Sequence, residues 1–324
     1  MFKLTKMQDT HICPKGRSNY DFQQRIITNL DTASTKALNY LDLSFDTGSG
    51  FPSFIAPSGN FSKRKQSPPE IFSSLIISQC LVDIGIYPSF MDFIINHLNA
   101  VTNPSGFMHF FFDKTLLVAD TDCTAVGHAL LLSLNRPSPY LNLAIDKLIE
   151  NTDPNGIIEV YQKPAGEHEG RIDANVLVNV LYLLHAVDRA NEAALSERFV
   201  FQTLGRRTYL EGSRYYPSPD VFLYFLSRLV RDYPHTTSRY RGLLRKELVE
   251  RKKISSTFLD ISLRCAALDN IGLDASEYRD TIRRLQAHEG YWPAETFFKY
   301  GQTNRCFGGE ALSTGFGIRA LGAL

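Results

Sequence analysis

Two kinds of segment alternate along the chain. One kind is almost wholly apolar and covers residues 69–85, 121–134, 172–187, 219–230, 256–271 and 309–321. The other is more polar and amphipathic, covering 21–42, 88–100, 138–150, 189–209, 236–252 and 275–287. In the fifth polar segment Tyr240, Leu243, Leu244 and Leu248 recur at i, i+3, i+4 and i+8, the stripe of a helix with one wet face. Residues 174–184 are apolar on nearly every side, which marks a helix buried all round. The pattern predicts six outer and six inner helices.

A glycine turn stands between five of the six polar segments and the apolar one that follows. Gly50, Gly106, Gly156 and Gly212 lie 56, 50 and 56 residues apart, and Gly290 follows after 78, so one turn is shortened near 250–256. Repeats of this length signal stacked or closed supersecondary units. Six outer-then-inner pairs in 324 residues favour an all-α fold closed into an (α/α)6 barrel over an open solenoid. The whole chain, 1–324, reads as one such domain, with residues 1–20 loosely packed against it. The inner helices would run parallel, with their N-termini at one end. Strand signals are weak: 107–112 and 156–161 are short enough to be irregular loops.

Composition narrows the function. Apolar residues make up 44% of the chain and charged residues 21%, ordinary for a globular core. A formal net charge of +1 gives no reason to expect nucleic acid. Five cysteines, odd in number and without a CxxC pair, suggest neither a disulfide framework nor a cysteine zinc site. The N-terminus lacks an apolar signal core. The longest apolar run, 71–86, is broken by Ser73, Ser74, Gln79 and Asp83, so no transmembrane span is expected. The default is a cytoplasmic enzyme, with peripheral membrane association left open.

The candidate chemistry gathers at the inner-helix N-termini. Glu70, Asp120, Asp122, Asp173, Asp220, Asp260 and Glu310 each fall near the start of an inner segment. Capping explains an acid there without further function. Arg171, Arg206, Arg207, Arg214, Lys299 and Arg305 lie in the same loops; helix N-termini with such cations could hold a diphosphate, and solvated loop charge is the competing explanation. Asp122 differs from the other acids. Ala125 and Ala129 lie along its helical face, where small side chains leave room for a pocket.

Asp120-Thr-Asp-Cys-Thr-Ala125 resembles the acid motif of class II terpene cyclases. Squalene–hopene and diterpene cyclases carry Asp-x-Asp-Asp there, and oxidosqualene cyclases carry Asp-Cys-Thr-Ala. Asp120-Thr121-Asp122 matches the first form and Asp122-Cys123-Thr124-Ala125 the second. The barrels of that family also carry turns ending Gln-x-x-x-Gly-x-Trp, which Gln286 to Trp292 fits once.

The resemblance implies that Asp122 is the general acid. Asp120 would be a helix cap or a proton-sharing neighbour, and Cys123 would sit beside the carboxyl. Protonating an alkene or epoxide needs a neutral carboxylic acid, favoured by desolvation and by a second carboxylate. The resulting carbocation needs a dry cavity with π faces. Inner segments offer Phe72, Tyr182, Phe222, Phe225, Phe258 and Phe316 for that wall. Asp173, Trp292, Arg171 and Arg305 complete the substrate-binding candidates. The implied partner is a hydrophobic isoprenoid-type molecule. No cofactor is required, and magnesium enters if the substrate is a diphosphate. The resembled enzymes place the active site between two barrels, and this chain has length for one. A second barrel protein or another copy of the chain supplies the missing wall, or loops close the site, or the chemistry differs.

Three other readings stay open. Protein prenyltransferase β subunits are single helical barrels that bind zinc through Asp-x-Cys and a histidine. Here Thr121 stands two before Cys123, and His185 falls about twelve residues down its helix, roughly 18 Å from the mouth. Glycoside hydrolases and lyases of (α/α)6 type could pair Asp122 with Asp173, but sugar clefts stack several tryptophans and this chain has one. A non-catalytic barrel binding a ligand or protein would show a blocked mouth or an arginine paired with Asp122.

Overall fold

The computed structural model of the chain describes residues 31–254 and 256–322. The segment 1–20 and the first part of 21–42 lie outside these residues.

Twelve α-helices among the described residues alternate as the hydrophobic pattern predicts. The outer helices are α1 (Thr32–Ser44), α3 (Met91–Val101), α5 (Leu141–Glu150), α7 (Ala194–Gly205), α9 (Ser238–Arg251) and α11 (Ser276–Arg284). The inner helices are α2 (Phe72–Val82), α4 (Thr121–Ser133), α6 (Ala174–Ala186), α8 (Pro219–Asp232), α10 (Phe258–Asn270) and α12 (Glu310–Leu321). Each inner helix packs on the next, and α12 returns to α2, so the inner ring is closed. The outer helix α1 packs on α12 and completes the second layer. The apolar-all-round segments are the inner staves: in α6 every residue from Ala174 to Leu184 is buried. This is the (α/α)6 barrel.

The glycine turns have a common cause. Asn103 Oδ1 accepts from the N–H groups of Ser105 and Phe107, and Asp153 Oδ1 accepts from those of Asn155 and Ile157. Each such turn then needs a left-handed residue, and Gly106 has φ 85°. A Cβ on Gly106 would meet Tyr140 O at 2.9 Å, and one on Gly212 would meet Pro217 O at 2.4 Å. The shortened turn is real: α9 reaches α10 through 252–257, which contain no glycine.

One element departs from the pattern. Four short strands form an antiparallel sheet: β1 (Phe54–Pro57), β2 (Lys65–Gln66), β3 (Thr296–Lys299) and β4 (Arg305–Gly308), in the order β2-β1-β4-β3. None lies in 107–112 or 156–161, where Met108, Phe111, Ile158 and Tyr161 make isolated bridges only. Strands of two to four residues carry too little alternation to be read locally. Their central pairing, Phe54 with Gly308 through Pro57 with Arg305, joins segments about 250 residues apart in sequence. The sheet stands at the end of the barrel where the inner helices begin, tied by the Lys299 N–H to Tyr215 O at 2.7 Å.

The opposite end of the barrel is ionic. Arg228 donates to Asp83 at 2.8 Å, Arg231 donates to Asp83 and to Asn270, and Arg319 donates to Asn270 at 2.5 Å. These guanidinium groups lie near inner-helix C-termini, where the backbone dipole favours positive charge.

Candidate active site

Asp120 opens α4. Its backbone is extended (φ −126°, ψ 156°), and its Oδ1 accepts the Cys123 N–H at 2.7 Å, the geometry of an N-cap. The neighbouring loops are laced to this point. Asp120 N–H donates to Met108 O at 3.0 Å, Thr121 N–H to Val160 O at 2.7 Å, and Val160 N–H to Arg171 O at 2.7 Å. Asp122 is thereby held in the first turn, buried at the mouth.

Two side chains fix the Asp122 carboxyl. Asn179, on α6, donates from Nδ2 to Oδ1 at 2.8 Å. The Tyr216 hydroxyl, from the loop before α8, donates to Oδ2. Burial pushes the Asp122 pKa up to about 7 against these two hydrogen bonds, and the nearby Asp120 and Asp173 push the same way. Burial likewise raises Asp120 to about 6, opposed by the Cys123 N–H and thiol. Among the described residues, Asp120 Oδ2 is buried without a hydrogen-bond partner. Burial and the adjacent carboxyls raise the Cys123 thiol well above its usual range, so it is a neutral neighbour, not a thiolate.

Beside these acids lies a cavity of about 540 Å3, open solvent at its mouth included. Phe72, Phe110, Tyr161, Tyr215, Phe298 and Phe307 give it aromatic faces. Lys299 is the one cation among the described residues lining it, and it makes no ion pair there. Phe298, Lys299 and Phe307 belong to the β3–β4 hairpin, so the sheet supplies the outer wall over the barrel mouth.

The residues singled out from sequence divide. Asp120, Asp122, Cys123 and Phe72 line the cavity. Asp173 caps α6 and accepts the Tyr215 N–H at 3.3 Å, one residue behind the wall. The other binding candidates do not line it. Tyr182 donates to Asp232 at 2.7 Å and lies under Arg228, in the ionic end. Phe222 stacks on Tyr209, facing the outer layer. Phe225 and Phe316 lie deeper on the barrel axis, packed against Phe297. Trp292 is fully buried, stacked on Phe258, with its Nε1 donating to Ile282 O at 2.8 Å. Arg171 donates to Glu167 O, and Arg305 is exposed at the start of β4. Apart from Phe72, the inner-helix aromatics singled out from sequence are thus core, and most of the wall comes from loops and the sheet.

Other expectations also shift. Ala125 and Ala129 are buried in the core and do not line the cavity; Asn179 takes the place beside Asp122. Asp220 is not a cap: Ser218 caps α8, and Asp220 is buried between Arg251 at 2.7 Å and Arg264 at 2.7 Å. Glu310 pairs with Arg64 at 2.5 Å, while Glu70 does accept the Ser73 N–H at 3.0 Å. His185 lies at the far end of α6 beside Thr236. Sequence reasoning missed Asn179, Tyr216 and Phe298. Asn179 had a signal: an amide within a helix apolar on all sides needs a buried partner. Tyr216 and Phe298 had none that local pattern could reveal.

The barrel with this acid motif at its mouth is class II terpene cyclase-like in fold and in sequence. No family model matches the chain. Drimenol cyclase drtB of Aspergillus calidoustus is 30% identical over 260 residues, 75% of this chain and 48% of that protein. The chain therefore spans about half the length of this curated relative. MstE, a type II terpene cyclase from Scytonema, superimposes in complex with its substrate geranylgeranyl dihydroxybenzoate at a TM-score of 0.68. The identity is 11%, and the match covers 93% of this chain and 98% of that one. The ent-copalyl diphosphate synthase of Streptomyces platensis matches at a TM-score of 0.55 and 10% identity, over 79% of this chain and 50% of that one. At these identities the structural likeness is one of fold. In MstE, substrate is held by a chain that this single barrel covers almost end to end.

Proposed function

We propose that the chain is a protonation-initiated terpene cyclase with Asp122 as its general acid. The observation that carries this reading is a buried carboxyl, raised to about 7 and pinned by Asn179 and Tyr216, facing an aromatic cavity. Near neutral pH a large share of Asp122 is protonated, while a free aspartic acid would be almost wholly ionised. Its proton passes to the less substituted carbon of a terminal alkene, or to an epoxide oxygen. The Asp122 carboxylate that remains keeps both donors, so the developing charge is met without rearrangement. The tertiary cation is attacked by the next double bond of the chain, and ring closure continues until a proton is lost or water adds. Aromatic faces of Phe72, Phe110 and Phe298 stabilise the cation and exclude water.

Asp120 acts as the cap that fixes the first turn, and its charge when ionised favours the protonated Asp122. Lys299, without an ion pair among the described residues, suits an anionic head group on the substrate, with magnesium as a further counterion if that group is a diphosphate. The carboxylate pair expected of a sugar hydrolase is less well supported. Trp292 is core, and Asp173 is engaged by Asn175 and Tyr215. No arginine pairs with Asp122 among the described residues, which separates the site from a purely structural ion pair. Incubation of the wild type and Asp122→Asn with prenyl diphosphates and their free alcohols, followed by product analysis, tests the reading. Cyclic product is expected from the wild type, and its rate should fall by about 100- to 10,000-fold in the variant. Unchanged cyclisation by Asp122→Asn overturns the assignment.

A further inference from the structure

Asp122 has two side-chain donors, and one helix holds both in place. Asn179 of α6 reaches the carboxyl directly. One turn earlier on the same face, Asn175 reaches the loop that carries Tyr216. Its Nδ2 donates to Ser213 Oγ at 3.0 Å and to Asp173 Oδ1 at 3.2 Å. Ser213 Oγ in turn accepts the Tyr216 N–H at 3.0 Å, and the Ser213 N–H donates to Tyr216 O at 2.7 Å. Asp173 Oδ2 accepts from the Tyr215 N–H between them. From the other side, Phe297 of β3 meets the Tyr216 ring edge-on at 5.6 Å. Asp173, Asn175 and Tyr216 are each at most 3% exposed, so water does not compete for these bonds.

We propose that Ser213, clamped by Asn175 and Asp173, is the positioning residue that seats the Tyr216 hydroxyl on Asp122 and so fixes the strength of the acid. This rests on the cyclase reading above. Neither Ser213 nor Asn175 lines the cavity, so both act on the acid only through the loop. Tyr216 reaches Asp122 from a loop, and a loop side chain keeps one geometry only where its backbone is held. Donation from Tyr216 favours the ionised carboxyl, so a loosened Tyr216 should leave Asp122 holding its proton to higher pH. The other groups that face Asp122 are Asp120 and Cys123 of α4, with Glu70 of α2 behind Cys123, and Asp173 at the start of α6. Across the cavity stand Tyr161, Tyr215, Lys299 and Tyr300. Asp173 gives the clamp a second, opposed effect. Burial raises the Asp173 carboxyl, and the Ser213 and Asn175 side chains work against that rise. Their loss would leave Asp173 more protonated and would lower Asp122, whether or not Tyr216 is present.

The test reads the alkaline limb of kcat/KM with the prenyl diphosphate or alcohol that the wild type cyclises fastest. Ser213→Ala and Asn175→Ala should each move the limb upward by about 0.5–1 pH unit. Ser213→Thr keeps the hydroxyl and should restore the limb to within about 0.2 units of the wild type. In a Tyr216→Phe background Ser213→Ala should move it by less than about 0.2 units, because the donor it seats is gone. A limb that stays or falls in Ser213→Ala overturns the proposal, as does an equal shift in the Phe background. Ser213 is half-buried in a loop and carries the test alone if Asn175→Ala does not fold. Carbon-13 NMR of the Asp122 carboxyl, assigned by its loss in Asp122→Asn, follows the same titration without turnover. If no chain is cyclised, the cyclase reading fails, and an Asp122 titration that Ser213→Ala leaves unchanged overturns the positioning role separately.

Discussion

Replacing Asp122 with asparagine should stabilise the protein while removing the proposed acid. In the unfolded chain Asp122 ionises near its ordinary value of 3.8, whereas in the folded protein it stays protonated until about 7. Between those values the folded state holds a proton that the unfolded state has released, so folding stability falls as pH rises and levels off above 7. A shift from 3.8 to about 7 corresponds to about 4 kcal/mol, at about 1.4 kcal/mol per pH unit. Asparagine does not titrate, and its carbonyl and amide can still meet Asn179 and Tyr216. Urea unfolding of wild type and Asp122→Asn from pH 4 to 9 measures the difference directly. The two proteins should be nearly equally stable at pH 4, and the variant should gain by up to about 4 kcal/mol at pH 8. Stability curves that run parallel across this range would refute the claim that the fold holds Asp122 neutral. A group that destabilises the protein while poised to give up a proton is the trade expected of an active-site acid.

Two further perturbations separate the site from its support. Tyr216→Phe removes a donor to the ionised carboxyl. It should move the alkaline limb of kcat/KM upward by about one to two pH units, and an unmoved limb would show that Tyr216 does not set the acid. Asp83→Asn leaves Arg228 and Arg319 buried without their shared carboxylate. It should cost about 3–5 kcal/mol in urea unfolding while leaving the alkaline limb in place, and a loss under 1 kcal/mol would refute the structural role of that network.

The origin of each part explains how readable it was. The apolar stretch 121–134 and the polar stretch 138–150 became α4 and α5 because burial on one face or on all faces is written in the local period. The shortened turn near 250–256 was likewise visible as a missing glycine. Asp120 and Asp122 could be placed at a helix mouth because a cap and a first-turn acid occupy fixed offsets from a helix start, and the acid-motif resemblance singled them out. The aromatic wall was misplaced for a physical reason. Phe222, Phe225 and Phe316 share the apolar character of a cavity wall, but on an inner helix one ring can face the outer layer, the barrel axis or the mouth. Which of these it faces depends on the helix's rotation in the ring and on its depth below the mouth.

What local pattern carries is the number, order and kind of helices, and a carboxyl pair at one helix mouth. Each of these depends on neighbours a few residues apart. The donors to Asp122 do not: Asn179 comes from 57 residues away and Tyr216 from 94. Nor does the wall over the site, where β1 pairs with β4 across nearly the whole chain. Those contacts exist only once the ring has closed, because closure brings the inner-helix N-termini and their loops to one end. The same closure removes Asp122 from water, and that desolvation turns an ordinary first-turn aspartate into a candidate acid.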